Sequence, residues 1–582
     1  MAPASSVPSV PTPTLFAKQP IPIAAALRRA LSKGYGAAEL RADVLAGIVV
    51  GIVALPLSMA LAIAVGVPPQ HGLYTAIIAG ALIALLGGCK FQVTGPTAAF
   101  IVILAPIVTK FGLAGLLTAG LMAGIMLVGM GVARLGRLIQ FIPHPVTTGF
   151  TSGIAVVIAT LQLKDVLGLD IRSMPDSYIE KLATLWQARG TSRLPEVLVA
   201  ASTLGLLWLI PRFIKRVPAP LIAIGLVSAA AVLVHHYDSA FEVATIGTRF
   251  HSTVNGVEVA GIPPAFPAPG LPWGSGGLSF AMLRELVPSA FAIAMLGAIE
   301  SLLSAVIADG MTGTQHEPNS ELVALGIGNI VAPFFGGIAA TGALARTATN
   351  VRAGARSPFA SVTHSVVVLL SMVLLATWVA YVPMASLAAL LILVAWNMSE
   401  VRSLFGIVRV APKSDVVVLL TCFSLTILFD MVIAVSIGVV LAAMLFMRRM
   451  AELTEARSIL EPQPETEHAR LPKGVALYEI NGPLFFGAAQ KAMQALSSSR
   501  GDTYEVLVLN LGKVPVIDAT GLVALESAIK SLLRRKKKVV LAGPLPRPRE
   551  MWLKANLKQK FQGLEVAGTL EHAMERAASL VS

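Results

Sequence analysis

The sequence predicts an α-helical protein that crosses a membrane about fourteen times, as two inverted repeats of seven, followed by a C-terminal cytoplasmic α/β domain. Three observations predict it. Of 582 residues, 55% are hydrophobic and only 13% charged, with a mean hydropathy of +0.76, far more apolar surface than a water-soluble chain of this size needs. Apolar segments follow one another with short breaks from residue 43 almost to 450. Two of them, the third and the tenth, open with a helix-start signal inside apolar sequence, at Thr94-Gly95-Pro96-Thr97-Ala98-Ala99-Phe100 and at Thr341-Gly342-Ala343-Leu344-Ala345-Arg346-Thr347.

These two stretches organise the rest. Thr94 or Gly95 caps the first, and Pro96 suits the first helical position, where its missing N–H costs nothing. Thr341 caps the second. Short extended segments precede them, Phe91-Gln92-Val93 and Ile338-Ala339-Ala340. A helix that begins inside the bilayer leaves its first N–H groups without intrahelical partners. An anion satisfies them well, because the amides and the helix dipole both favour negative charge. Two such half-helices facing each other make an anion site at mid-membrane.

In chain order, residues 1 to about 25 are rich in Pro, Ser and Ala and carry no signal-peptide pattern. Residues 24–40, with Arg28, Arg29 and Lys33, suit an interfacial helix, so 1–42 is set apart as a cytoplasmic tail and helix. Within 43–450 the apolar segments fall near 45–66, 71–88, 96–110, 113–133, 146–164, 196–213, 219–236, 283–308, 320–335, 342–352, 360–380, 383–397, 415–430 and 431–449. Alternate loops hold basic residues, among them Lys90, Arg134, Arg137, Arg356, Arg402, Arg409 and Lys413, whereas the turns at 67–70 and 381–383 hold none. This asymmetry puts both ends inside the cell, and it accounts for the net charge of +13 without nucleic acid. Residues 451–472 read as a linker rich in glutamate. Residues 473–582 alternate strand and helix patterns, with strands at 475–480, 506–511 and 539–542 and a helix at 488–496. The run Arg534-Arg535-Lys536-Lys537-Lys538 fits a solvated helix end.

Charged residues inside spans point to function, because burying them in lipid is costly. Glu300, in the eighth span, can hold or release a proton as access alternates, and Ser304 shares its face one turn on. An ion pair of Glu300 with Arg346, or a protonated carboxyl bonded to backbone, is the structural alternative. Arg346 lies one turn into the second half-helix and either adds positive potential or neutralises a neighbour. Thr97 and the amides of Thr97, Ala98, Ala343 and Leu344 face the ligand, and Leu57 and Leu61 of the first span form an apolar wall. Asp309, Asn319, Glu321 and Asn329 suit capping and loop architecture. Cys89 and Cys422 and the scattered histidines show no metal spacing, and no cofactor is indicated.

Leu55-Pro56-Leu57-Ser58-Met59-Ala60, Val67-Pro68-Pro69-Gln70-His71-Gly72-Leu73-Tyr74 and Thr94-Gly95-Pro96-Thr97 resemble the opening motifs of the sulfate permease (SulP) anion transporters. The last 110 residues, with Asn481-Gly482-Pro483-Leu484-Phe485-Phe486 and Val516-Ile517-Asp518-Ala519-Thr520-Gly521-Leu522, resemble that family's STAS domain. Ala298–Leu303, Asp309–Thr314, Val394–Glu400 and Leu445–Arg449 are similar to bacterial C4-dicarboxylate carriers of the DauA type. The resemblance implies a core domain (spans 1–4 and 8–11), a gate domain (spans 5–7 and 12–14), elevator motion of one against the other, and a homodimer in the bacterial inner membrane. It implies that Glu300 occupies the family's acidic position and that Thr520 lies near a STAS position phosphorylated in some relatives. Where some members line the site with polar residues, this chain has Leu57, Leu61, Ala343 and Ala345.

The expected function is proton-coupled uptake of C4-dicarboxylates such as succinate, fumarate or aspartate. An inside-negative potential opposes anion uptake by ~2.3 kcal/mol per charge per 100 mV, so a dianion needs co-transported protons. A sulfate, bicarbonate or chloride transporter or exchanger is the alternative within transport. A membrane anion sensor acting through a cytoplasmic partner of the STAS domain is the alternative from another class. No Ser–His pair, metal motif or carboxylate pair suggests an enzyme.

Overall fold

Apolar sequence without an amphipathic stripe makes helices that are buried or lipid-facing on every side, and the computed structural model is built from them. It describes residues 21–581, apart from 33, 140–142, 172–173, 176, 214–217, 255–256, 275–276, 430, 453–454, 460–471, 486–488 and 490–503. Two units divide the chain, residues 1–439 and 440–582.

The first unit begins with a short helix, Ala25–Ser32, followed by α1 (Ala37–Val65). One interfacial helix over 24–40 was expected. The chain instead breaks at 34–36, and the short helix docks on protein with Arg28 exposed. The Ala24 amide donates to the Leu86 carbonyl at 2.8 Å, and Arg29 Nη1 donates to the Gln315 carbonyl at 2.8 Å. Next come α2 (Gln70–Leu86) and β1 (Thr94–Gly95). A 3-10 turn, Ala98–Phe100, leads into Ile101–Val132. Gly112, at φ 66° and ψ −169°, divides that helix into α3 (101–111) and α4 (113–132), a conformation L side chains rarely adopt.

The remaining segments are α5 (His144–Val166), α6 (Leu194–Phe213) and α7 (Ala219–Tyr237), then a hairpin of β2 (His251–Val254) and β3 (Val257–Ala260). After it run α8 (Phe280–Thr312), α9 (Pro318–Val331), β4 (Thr341–Gly342), α10 (Leu344–Arg352) and α11 (Phe359–Val379). The series closes with α12 (Met384–Met398), α13 (Lys413–Leu428) and α14 (Met431–Glu452). Among the described residues nine helices are long and apolar enough to cross a membrane. The shorter α2, α9, α10 and α13, and the break at Gly112, bring the segments to the fourteen expected.

Two sets of helices pack mainly within themselves: α1–α4 with α8–α11, and α5–α7 with α12 and α13. Helix α1 touches both. One close approach in the first set is between α4 and α9. A Cβ on Gly124 would lie 2.7 Å from the Gly326 carbonyl, and one on Gly326 would lie 2.7 Å from the Gly124 carbonyl. Paired small residues let backbones meet where lipid supplies no hydrophobic drive between helices.

The second unit holds a five-stranded sheet in the order β5 (Glu455–Ile459), β6 (Val475–Asn481), β7 (Val506–Lys513), β8 (Lys538–Ala542) and β9 (Leu564–Ala567). Only β5–β6 is antiparallel. Period-2 alternation sends Leu507 and Leu509 against Leu525 and Ile529 of α15 (Ala519–Arg534). It sends Val506 and Val508 against Ala573 and Ala577 of a helix at Leu570–Leu580. The linker expectation for 451–472 is corrected by β5, a polar edge strand whose charged residues suit a position paired on one side. The strand β9 was not foreseen either. The helix expected at 488–496 lies outside the described residues except at Ala489, which is helical and buried. The basic run does end a helix, since α15 stops at Arg534 and β8 starts at Lys538.

Candidate functional site

Gly95 precedes Pro96 and is pushed toward extended geometry, and with Thr94 it forms the short strand β1. Extended backbone at membrane depth needs partners for every N–H and C=O. Strands β1 and β4 supply some to each other, antiparallel, with Thr94 opposite Gly342 and Gly95 opposite Thr341. The Ala343 amide extends this ladder by donating to the Val93 carbonyl at 2.9 Å. It is therefore occupied, and the expectation that it faces the ligand is corrected.

Side chains satisfy the rest. Val93 N–H donates to Thr347 Oγ1 at 3.1 Å, Asn350 Nδ2 to the Phe91 carbonyl at 2.9 Å, and Ser361 Oγ to the Gln92 carbonyl at 2.7 Å. Before β4, Asn329 accepts from the Ala340 amide at 2.8 Å and donates to its carbonyl at 2.9 Å. Thr75 Oγ1 donates to the Ile338 carbonyl at 3.0 Å. Glu321 is buried: Oε2 accepts from the Gly88 and Cys89 amides at 2.8 and 3.0 Å, and Oε1 accepts from Gln92 Nε2 at 2.9 Å. Asn329 and Glu321 thus have the architectural role expected of them. Gln92, Thr347, Asn350, Ser361 and Thr75 were missed, although each is a polar residue in apolar sequence.

The amides left over lie at the two helix starts. Phe100 bonds back to the Thr97 carbonyl, and Thr347 bonds back to the Ala343 carbonyl. Among the described hydrogen bonds, none uses the amides of Thr97, Ala98 and Ala99 at one start, or of Leu344, Ala345 and Arg346 at the other. Leu344 is 40% exposed, and Ala345 is also exposed, so this helix start borders open space. Leu57 is half-buried and Leu61 buried on α1, which packs against α10.

Glu300 is half-buried on α8 and accepts a hydrogen bond from Thr97 Oγ1 at 2.9 Å. No ion pair joins it to Arg346 among the described residues. Arg346 donates through Nη2 to the Pro96 carbonyl, and its guanidinium lies against Gly95, where a Cβ would come 2.7 Å from Nη1. The alternative of a Glu300–Arg346 pair is thereby corrected. Ser304 is also corrected: it is fully buried and donates to Thr347 Oγ1 at 3.0 Å, so it braces the half-helix instead of sharing a proton path with Glu300. A cavity of about 690 Å³ lies between α8 and α5, with Ile299, Leu303 and Val306 on one wall and Thr147, Thr148 and Thr151 on the other; Glu300 does not line it. Among the described residues no group of three or more His, Cys, Asp or Glu is placed to hold a metal. Thr520 belongs to the second unit, exposed at the start of α15, where Asp518 caps the helix by accepting from the Gly521 amide.

The sequence profile of the Sulfate permease family matches residues 40–422, and that of the STAS domain matches 468–573. The chain belongs to the sulfate permease family. It is 40% identical over 529 residues to a Bacillus subtilis (strain 168) protein named "Putative sulfate transporter YvdB", covering 91% of this chain and 96% of that protein. It is 28% identical over 561 residues to "Bicarbonate transporter BicA" of Picosynechococcus sp., covering 93% and 95%. The fold is that of the murine anion transporter Slc26a9 in its inward-facing state, with a TM-score of 0.82 at 18% identity over 96% of this chain and 94% of that one. The transmembrane domain of a cyanobacterial BicA superposes with a TM-score of 0.57 at 27% identity, covering 70% and 98%. This member of the family is a multi-pass membrane anion transporter, as its relatives are, and not an enzyme.

Proposed function

We propose that the chain imports small dicarboxylates, C4 acids such as succinate, fumarate or aspartate first among them, together with protons that Glu300 carries. The observation that carries this reading is the bond from Thr97 to Glu300. It puts a carboxylate with no cation partner among the described residues beside the open amides of the first helix start. A carboxylate in that position repels an anionic substrate unless it is protonated, which links substrate occupancy to proton uptake. Two amide clusters beside the apolar Leu57, Ala343 and Ala345 suit a molecule with charge at both ends and hydrocarbon between.

In this reading α1–α4 and α8–α11 form a core that slides as an elevator against a gate of α5–α7 and α12–α14. Arg346 adds positive potential below the amides. The assembly is a homodimer in the bacterial inner membrane with both termini cytoplasmic, which the loop charges support. The STAS domain receives a cytoplasmic partner or a modification at Thr520. A second reading, transport of sulfate or bicarbonate, is favoured by the names of the relatives at 40% and 28% identity.

Proteoliposome uptake of labelled succinate, sulfate and bicarbonate, each with and without an imposed inward proton gradient, tests both. The dicarboxylate reading expects gradient-stimulated succinate uptake that unlabelled fumarate suppresses. Succinate uptake that ignores the gradient, or no succinate uptake beside robust sulfate uptake, defeats it.

A further inference from the structure

The segment between α7 and α8 crosses from one helix set to the other, and it is fastened at both ends. Near its start it is tied to the set of α5–α7 and α12. The Ala244 amide donates to Glu196 Oε1 of α6 at 2.6 Å, and Arg249 Nη1 donates to Asp165 Oδ1 of α5 at 3.0 Å. The Met384 amide, at the start of α12, donates to the Ala244 carbonyl at 2.8 Å. Further on, the Gly270 amide donates to the Phe334 carbonyl at 2.6 Å. The Trp273 ring meets that of Phe334 edge-on, with centroids 6.3 Å apart and planes at 77°. Phe334 lies on the 3-10 turn Ala332–Phe335, which packs on α2 and α9 in the other set.

Residues 261–273 include five prolines, at 263, 264, 267, 269 and 272, and form neither helix nor strand. Proline fixes φ, so such a stretch is a semi-rigid spacer and not a slack tether. Its beginning is pinned as well: the Gly261 amide donates to the Phe250 carbonyl at 2.7 Å, and the Gly261 carbonyl accepts from Ser252 Oγ at 2.9 Å. A stiff segment held at both ends does not stretch to follow a displacement of one helix set past the other. The seam between the sets is also unlike at its two ends. At the His144 end of α5, the cavity of about 690 Å³ parts α5 from α8. At the Asp165 end of the same helix, the sets are tied by this segment.

We infer that residues 244–249 and 261–273 act as a strap across one end of the seam, and that the contact of Gly270 and Trp273 with Phe334 is a latch that must open before the sets can part there. Latched, the seam is open at the His144 end and shut at the other. Released, the ring of Trp273 and the amide of Gly270 leave Phe334, and the core is free to move. One aromatic pair and one hydrogen bond make a modest hold, suited to an equilibrium that a transport cycle has to reverse at every turn. The inference rests on the reading that the two helix sets slide against each other.

Reversible cross-linking of the full-length protein tests it. Trp273→Cys with Phe334→Cys puts two thiols where the rings meet, and both native cysteines are buried. A short bifunctional methanethiosulfonate joins them, and a reductant frees them. Uptake of labelled sulfate and succinate by proteoliposomes is expected to stop on cross-linking and return on reduction, while equilibrium binding of the same anions persists. A second pair, Thr151→Cys with Leu303→Cys, locks the cavity walls of α5 and α8 in the same way. Uptake that survives the strap lock but stops with the cavity lock overturns the inference and leaves the sliding reading intact. Uptake that survives both locks overturns that reading, and the inference with it. Binding lost together with uptake in the strap lock also overturns the inference, because a held conformation spares the site. If the first pair is inactive before cross-linking, hydrogen exchange at the Gly270 amide reads the latch directly. Trp273→Ala is expected to speed that exchange about two- to tenfold, the scale of one edge-on aromatic pair, and an unchanged rate overturns the inference.

Discussion

Thr97 Oγ1 lies 2.9 Å from the Glu300 carboxylate, so the residue that starts one interrupted span grips the middle of another helix. The bond crosses from the 3-10 turn before α3 to α8 and links the amide cluster to the titratable group. Occupancy of the amides and the charge on Glu300 are thereby neighbours in space, although 203 positions separate the two residues in sequence.

Glu300→Gln keeps the shape and the hydrogen bond to Thr97 but removes the exchangeable charge. Exchange of labelled for unlabelled substrate should continue, while accumulation driven by a proton gradient is lost. Counterflow and gradient-driven uptake in the same proteoliposomes separate the two. Full accumulation by the variant would refute the coupling role.

Arg346→Ala should weaken binding of dianions more than of monoanions, because one buried positive charge interacts with twice the charge. The expected difference is on the order of tenfold. Competition by succinate against a monoanion such as lactate measures it, and equal losses would make Arg346 purely structural.

Gly95→Ala should act through the same guanidinium. The new Cβ would come 2.7 Å from Arg346 Nη1, so the flexible side chain must shift while the backbone stays. Affinity is expected to fall with thermal stability nearly unchanged. A protein that fails to fold would show that β1 has no tolerance for the added carbon.

Glu321→Ala should behave differently, as a stability variant. It strips the acceptor from the Gly88 and Cys89 amides and from Gln92 Nε2, all buried. Each buried amide left without an acceptor costs about 1–3 kcal/mol. A lower unfolding temperature in detergent, followed by fluorescence, is the expected result. Unchanged stability with lost transport would place Glu321 in the transport cycle instead.

Deleting residues 453–582 should leave anion affinity intact and alter expression, assembly or regulation. Binding by the truncated protein measured against the full chain checks this.

The long membrane segments were legible because lipid demands long apolar runs and tolerates few charges, whereas α10, with Arg346, Asn350 and Arg352, was placed by its helix-start signal and not by hydropathy. The two interrupted segments were legible from the signals at Pro96 and Thr341, but the expected caps are corrected: the 3-10 turn starts after Thr97 and α10 after Ala343, neither with a side-chain cap, and Thr341 Oγ1 donates to the Gly297 carbonyl instead. The partners of the extended segments were not legible. Thr347, Asn350 and Ser361 look like ordinary polar residues in sequence, and only the fold shows that each answers a backbone group on Phe91, Gln92 or Val93. Ala343 illustrates the limit from the other side. Its amide belongs by position to a helix start, yet the pairing of β1 with β4 takes it first. Likewise β5 was hidden because an edge strand needs apolar residues on only one side and is short.

The ladder of Thr94 with Gly342 and Gly95 with Thr341 rivets together two segments from opposite halves of the chain. Prising the site open to free its cargo would tear main-chain bonds in a place where no water waits to replace them. The cradle therefore has to stay whole through a turnover, and it is the surrounding walls that must part on one side and then on the other.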